Sequence, residues 1–414
     1  MKKLYSRWQK HVIERDMKTR RVILLAGARQ CGKTTLAKEL ISDDTAYLTL
    51  DDVTLKEAAE SDPQNFVKHT SRTLIIDEIQ RVPSLLPAIK KAVDEDTRSG
   101  QYLLTGSANI QALPSTQESL AGRITKVRLR PLSQGEIKGT EPNFLTYAFK
   151  QSFDFNSEFY QRDTILGMAF RGGFPEAITL EGRDRKKWHK DYIEALLERD
   201  LKDVAKIKSY DAMRGLIKVL AAWSSKFMDI SSIASGLSVQ RPTVATYINA
   251  LKALYIVEGV PPWTKTDYER VGKQEKLFMG DSGLMSSVLS WNIDQVRFDS
   301  DRSGKLMETF IFNELASQID ASDGEYELYH YRDREKREID FIIEREDQAI
   351  LAIEVKSSST IHKKNFSHLQ WFQDHLTKER PFVGIILYSG EAPLSFGHNL
   401  WAIPIGMLWP SHSR

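Results

Sequence analysis

Three short stretches of this 414-residue chain carry side chains suited to reactions on phosphate. The first is Gly27-Ala28-Arg29-Gln30-Cys31-Gly32-Lys33-Thr34, which satisfies every fixed position of G-x-x-x-x-G-K-[ST]. Its glycines let backbone amides curl around phosphate oxygens, and a helix beginning at its end adds a favourable dipole. Lys33 is expected to reach the β- and γ-phosphates of a nucleotide. Thr34 is expected to ligate Mg2+, with Thr35 at the exit of the loop. ATP and Mg2+ are therefore the expected cofactors.

The second stretch is Leu74-Ile75-Ile76-Asp77-Glu78, an apolar run that ends in two carboxylates. Asp77 is expected to hold Mg2+ through water, and Glu78 to polarise the attacking water. Binding alone does not need the second acid, so hydrolysis is expected. A further apolar run, Tyr102–Thr105, leads into Gly106-Ser107-Ala108-Asn109. Ser107 or Asn109 could position the water or sense the γ-phosphate. Ordinary turn chemistry accounts for both equally well.

The third stretch is Glu338-Ile339-Asp340-Phe341 followed by Ile353-Glu354-Val355-Lys356, with 13 residues between Asp340 and Glu354. On a strand, Glu354 and Lys356 point to the same face. Asp340 and Glu354 can bind Mg2+, and Lys356 can hold or polarise a water or a phosphate.

These residues need elements to position them. Val22–Ala26, Ala46–Leu50, Leu74–Ile76, Tyr102–Thr105 and Ile124–Leu129 read as buried strands separated by stretches of helix length. That alternation predicts an α/β domain with a parallel sheet, its phosphate loop lying between the first strand and the helix over Thr35–Ile41. Residues 155–225 read as mostly helical. Residues 226–262 read as two short helices and a strand-like stretch, Ile256–Val260. Strands return at Glu338–Ile343, Ile350–Val355, Phe382–Tyr388 and Leu400–Ile405.

The order of phosphate loop, Asp77-Glu78 strand, Thr105-Gly106-Ser107-Ala108-Asn109 and Ala121-Gly122-Arg123 resembles an AAA+ ATPase. The resemblance implies an arginine finger at Arg123, given in trans to the next subunit, and hence a homo-oligomer such as a hexamer. A surface ion pair is the alternative for Arg123. Arg171-Gly172-Gly173-Phe174-Pro175-Glu176 resembles the Gly-Gly-x-Pro segment of related ATPases, which implies Pro175 near the base; a plain turn is the alternative. Ile230–Leu251 resembles a winged helix-turn-helix with Ile256–Val260 starting the wing. Exposed Gln240, Arg241, Thr243 and Thr246 would then face a DNA groove, unless the unit serves only packing or oligomerisation.

Asp340, Glu354 and Lys356 match the PD-(D/E)xK nuclease core, and Glu308, on the helical stretch Leu306–Leu315, matches the acid on that fold's first helix. The metal ligands so implied are Glu308, Asp340 and Glu354. Nearly the whole chain resembles a prokaryotic family of AAA+ ATPases with a C-terminal restriction-endonuclease-like domain of unknown function. The implied architecture is an AAA+ domain over residues 1–150, a helical lid over 151–225, a winged helix over 226–295 and the nuclease-like domain over 296–414.

Charge and composition bound the functions. With 58 Lys and Arg against 56 Asp and Glu, the net charge of +2 excludes a uniformly basic nucleic-acid coat. Residues 1–21 nevertheless carry eight Lys and Arg against Glu14 and Asp16, which fits either a leader packed on the first domain or a phosphate-contacting arm. No apolar run reaches the ~18 residues of a membrane span. The start resembles no secretory signal, and Cys31 is the sole cysteine, so the expected compartment is the cytoplasm. The expectation is an oligomeric ATPase acting on duplex or branched DNA. The alternatives are a metal-dependent nuclease switched by its ATPase, and a nucleotide-controlled signalling switch that binds a protein partner.

Overall fold

The computed structural model describes residues 4–107, 122–153, 158–201, 209–265, 274–377 and 379–410. Asn109 and Ala121 lie outside these. Strands β1 (Val22–Ala26), β2 (Thr45–Thr49), β3 (Thr73–Asp77), β4 (Tyr102–Gly106) and β5 (Ile124–Arg128) form one parallel sheet in the order β2-β3-β4-β1-β5. The three inner strands are buried at every residue, which is why they read as continuous apolar runs. Both edge strands are only half-buried and carry Thr, Lys and Arg. The helix Leu85–Glu95 covers the sheet with Leu85, Leu86, Ile89 and Val93 on its inner face.

The middle region contains the helices Tyr210–Ala222, Ile230–Leu237 and Arg241–Ala253. Asp229 caps the second by accepting from the amides of Ser231 and Ser232, and Pro242 occupies the first turn of the third. Ile233, Ala234, Val244, Ile248 and Leu251 are buried between the helices, and Leu237 is half-buried. A small antiparallel sheet completes the unit: β6 (Lys226–Phe227), β7 (Val257–Val260) and β8 (Lys276–Met279), ordered β6-β8-β7.

The C-terminal sheet has β9 (Tyr326–Arg332), β10 (Glu338–Arg345), β11 (Ile350–Lys356), β12 (Phe382–Tyr388), β13 (Leu394–Gly397) and β14 (Leu400–Pro404) in the order β13-β14-β12-β11-β10-β9. Pairs β11–β12 and β12–β14 are parallel and the rest antiparallel. Alternation along β11 sends Leu351 and Ile353 into the core shared with the rest of the chain. Ile350 and Ala352 go into a second core with Phe366, Leu369 and Phe372. Residues 144–153, assigned from sequence to the first domain and the start of the lid, pack on this sheet: Phe153 lies against Trp401, and Trp401 Nε1 donates to Gln151 Oε1 at 2.9 Å.

The three regions are tied by buried polar contacts. The Gly173 amide donates to Asp281 Oδ2 at 2.7 Å, and its carbonyl accepts from the Leu132 amide at 2.7 Å. Glu314, on the long helix Ser300–Ala321, accepts from the Gln134 amide at 2.9 Å and from Trp409 Nε1 at 2.6 Å. At the other end of the chain, Arg7 is 7% exposed and reaches three partners. It donates to Glu136 Oε1 at 2.8 Å, to the Cys31 carbonyl at 2.7 Å and to the Arg130 carbonyl at 2.7 Å. Glu136 also accepts from the Trp8 amide, and Trp8 Nε1 donates to the Thr140 carbonyl. Of the two readings of the basic leader, Arg7 thus follows the packed one, because its guanidinium is consumed inside the first domain.

Two expectations follow from these buried groups. Arg7→Ala leaves Glu136 buried without its counter-charge and is expected to cost about 3 kcal/mol in denaturant unfolding. Combined with Glu136→Gln, the loss should be clearly less than additive. Burial pushes Glu314 up from 4.5 to about 8, against the hydrogen bonds from Gln134 and Trp409. The folded state therefore binds a proton that the unfolded chain releases between those values, so this group's contribution to stability falls as pH rises across them. Glu314→Gln is expected to flatten the decline of melting temperature between about pH 5 and 8; an unchanged slope counts against that protonation.

Candidate nucleotide site

The phosphate loop stands at the end of β1, whose five residues are buried in the centre of the parallel sheet. A Cβ at Gly27 would lie 2.0 Å from the Leu129 carbonyl oxygen, so the loop can turn against the end of β5 only with glycine there. Gly32 has φ +105°, a conformation that side chains resist, and it precedes the helix Lys33–Glu39. Cys31 is buried, and its thiol donates to the Leu129 carbonyl at 3.4 Å. The sole cysteine is thus part of the loop's floor. Gln30 and Thr35 are exposed, while Ala28 is buried and Arg29 half-buried.

Lys33 is 4% exposed and folds back over the loop, donating to the Gly27 carbonyl at 3.1 Å and the Ala28 carbonyl at 2.9 Å. Thr34 Oγ1 donates to Asp77, 3.2 and 3.0 Å from its two oxygens. These two groups fit Mg2+, since a hydroxyl and a carboxylate from facing elements share one point beside the loop. Asp77 also accepts from Tyr47 at 2.9 Å and, by a shorter bond, from the Thr105 hydroxyl. Register explains the convergence: Thr49 of β2 pairs with Asp77 of β3, and β4 runs beside β3 so that Thr105 follows directly on the Ile76–Leu104 pair.

Glu78 has φ +61°, so the chain turns sharply where β3 ends. Its amide donates to Thr105 Oγ1 at 3.1 Å. Its carboxylate accepts from Gln80 Nε2, which also donates to Ser107 Oγ at 2.9 Å. Burial raises the Glu78 carboxyl above its ordinary value, while the Lys33 charge and the Gln80 bond pull the other way. A carboxylate raised in this sense is better matched to proton exchange with water. Ser107 is therefore brought to Glu78 through Gln80, a residue the sequence reading passed over along with Tyr47 and Thr105. A polar residue closing an otherwise apolar strand, as Thr105 does, was the available signal.

Arg123 lies at the opposite end of the strands from the loop. It precedes Ile124, which pairs with Val22 at the start of β1, and its Nε donates to Asp94 at 2.5 Å. The length of β1 separates it from its own phosphate loop. The Gly172-Gly173 segment forms the joint with Leu132 and Asp281 described above. The next residue, Phe174, packs on Trp188, His189 and Tyr192, and Pro175 is half-buried beside it.

The C-terminal acids converge, but around an ammonium. Lys276, from β8, has a side chain only 1% exposed and forms ion pairs with Glu308, with Glu338 at 3.0 Å and with Asp340 at 3.3 Å. Asp340 also accepts from the Val355 amide at 2.9 Å, and Glu354 pairs with Lys356 at 2.9 Å. Among the described residues no group of three or more His, Cys, Asp and Glu is free to hold a metal ion. Glu308, Asp340 and Glu354 as they stand therefore do not fit Mg2+. Sequence reasoning missed Lys276 and Glu338. A lysine that opens the apolar Leu277-Phe278-Met279 run gives no hint of its partners.

Residues 19–138 match the family described as AAA domain. Residues 162–295 and 303–408 match two domains of unknown function, DUF8612 and DUF4143. The chain is 28% identical over 344 residues to uncharacterized proteins of Mycobacterium bovis and Mycobacterium tuberculosis, covering 82% of this chain and 71% of each relative. Among solved structures, the Thermotoga maritima RuvB Holliday junction branch migration motor aligns with a TM-score of 0.25 and 17% identity over 61% of this chain and 86% of that one. The Saccharomyces cerevisiae Hsp104–ADP complex aligns with a TM-score of 0.28 and 12% identity over 78% and 46%. Overlays at such scores carry no functional argument. The loop, the Asp77-Glu78 strand end and the family match together make the first domain an AAA-type P-loop nucleotide-binding domain of α/β architecture.

Proposed function

We propose that the protein is a Mg2+-dependent ATPase that works as a homo-oligomer on duplex or branched DNA. One observation carries the ATPase part: Lys33, Thr34, Asp77 and Glu78 stand together at the ends of the parallel strands β1 and β3, which flank β4, with Glu78 held by Gln80 and Gln80 by Ser107. Lys33 and the loop amides bind and orient the phosphates. Thr34 and Asp77 would hold Mg2+, which would supply charge neutralisation to the phosphates. Glu78 orients the attacking water and takes up its proton, and Ser107 acts on it through Gln80. The oligomer rests on reading Arg123 as a finger given in trans: the length of β1 separates it from its own loop, and in the single chain it pairs with Asp94.

The DNA part is supported by the face of the helix Arg241–Ala253. Gln240, Arg241 and Thr246 are exposed on it and Thr243 is half-exposed, whereas Val244, Tyr247 and Ile248 are buried behind them. That is the division a groove-reading helix needs. The nuclease alternative is disfavoured by Lys276, whose ammonium occupies the acids. The switch alternative is favoured by one observation: Arg130, directly behind the loop, pairs with Glu258 of the middle region and Asp320 of the C-terminal region.

Glu78→Gln is expected to retain ATP binding and lose at least about a hundredfold in turnover, the size of a general acid–base contribution. Normal turnover in that variant refutes the role given to Glu78. An Arg123→Ala subunit mixed with a Lys33→Ala subunit is expected to recover part of the activity that each lacks alone; no recovery at any ratio, with oligomers confirmed by light scattering, rejects the finger in trans. Hydrolysis measured with single-stranded, duplex, forked and four-way DNA tests the DNA reading. Stimulation by duplex or branched forms supports it, and indifference to all of them moves the assignment to the nucleotide-controlled switch.

A further inference from the structure

Lys276 is an unusual residue to bury. It sits on the central strand of the three-stranded sheet, registered with Phe227 on β6 and with Val260 on β7, so its backbone is fixed on both sides. Its ammonium leaves the middle region altogether. It enters the C-terminal region between Glu308, on the helix Ser300–Ala321, and Glu338 and Asp340 on β10. The Phe227 ring covers it at 5.8 Å. Three carboxylates from two elements thus converge on one point, and the cation at that point is delivered by a third element.

The convergence is built. Pairing of β10 with β9 slips between Ile339 and Ile342, which inserts one extra residue at the position of Asp340 and Phe341. A bulge of this kind re-aims a side chain. Here Asp340 reaches across to the Val355 amide and the Lys276 ammonium together. Glu354 stands next to this group. Its side chain is 5% exposed, Lys356 takes Oε2, and Oε1 has no hydrogen-bond partner. Two ammonium groups thus serve these four acids, Lys276 among Glu308, Glu338 and Asp340, and Lys356 at Glu354.

We propose that Lys276 is the resident cation of this acid cluster, its ammonium held by Glu308, Glu338 and Asp340 at the point where a divalent ion would otherwise sit. The cluster is closed to divalent metal for as long as β8 is docked. It becomes a divalent-cation site when the lysine is removed or withdrawn, because the oxygens of Glu308, Glu338 and Asp340 then face one centre that has lost its ammonium, with Lys356 still paired to Glu354 beside them. Hard oxygen ligands of this type suit Mg2+ or Mn2+. The inference stands on this geometry and is independent of the ATPase reading.

The test is Mn2+ binding to the full chain without nucleotide, followed by the loss of the free-ion electron paramagnetic resonance signal. Any ion held near Thr34 and Asp77 is common to all samples and cancels. Wild type and Asp340→Asn are expected to titrate alike, since the cluster is closed in both. Lys276→Met is expected to gain one Mn2+ per chain and to melt at a higher temperature when Mn2+ is added, as wild type does not. Adding Asp340→Asn to Lys276→Met should weaken that new site by about tenfold or more. The proposal is overturned if wild type binds an Mn2+ ion that Asp340→Asn abolishes, or if folded Lys276→Met binds no more than wild type. Should Lys276→Met fail to fold even with Mn2+ present, Lys276→Gln takes its place in the same titration, with the same gain of one Mn2+ expected and its absence overturning the proposal.

Discussion

A buried guanidinium holds the three regions of this protein in one arrangement. Arg130 follows the last strand of the parallel sheet, and its side chain is met by Glu258 from β7 and by Asp320 from the helix Ser300–Ala321. Burial works against the charge of Arg130, but the two carboxylates outweigh it and keep the group protonated. Glu258, also pressed by burial, is held down at about 2 by Arg128 and Arg130. Such a network is a weak source of net stability, because desolvation consumes most of the attraction. Its value is geometric, since removing any one member strands the others in a place without water. The same short segment carries Leu129, whose carbonyl receives the Cys31 thiol and stands against Gly27. The floor of the phosphate loop and the anchor of the other two regions are thus consecutive residues.

The nucleotide site is set by strand register more than by the loop motif. The motif fixes Lys33 and Thr34, but the hydroxyls that orient Asp77 come from β2 and β4, and the left-handed turn at Glu78 is held by the hydrogen bond that its N–H donates to the Thr105 hydroxyl. Two adjacent acids of one strand end therefore receive different surroundings. Asp77 is ringed by hydroxyl donors, whereas Glu78 is half-buried beside the Gln80 amide and the Lys33 charge. Separation of environments is what allows neighbouring carboxylates to take different roles.

Much of this was legible in the residues. The strands Val22–Ala26 and Phe382–Tyr388 coincide with their apolar runs residue for residue, because a strand buried on both faces leaves no polar position to blur its ends. The loop motif, Asp77 and Glu78 could be read because their chemistry is encoded in contiguous residues. Arg7, Tyr47, Gln80 and Lys276 could not. Each acts through a partner distant in sequence or through a turn whose geometry the sequence does not display. The C-terminal acids were found for the same reason that their setting was missed: Asp340, Glu354 and Lys356 have a recognisable spacing, while the lysine among them arrives from another region. Burial alone does not announce which apolar strand will carry a charge to its end.

The contact between Arg7 and Glu136 separates two boundaries that are usually treated as one. Similarity to the AAA family begins at residue 19, whereas the physical unit begins earlier, where Arg7 and Trp8 close over Glu136 and the back of the loop. A fragment trimmed to the matched span would retain the acid and discard its partner. It would also open the Cys31 and Arg130 carbonyls to solvent. The span that matches the AAA model is thus shorter than the unit that Arg7 and Glu136 pack together.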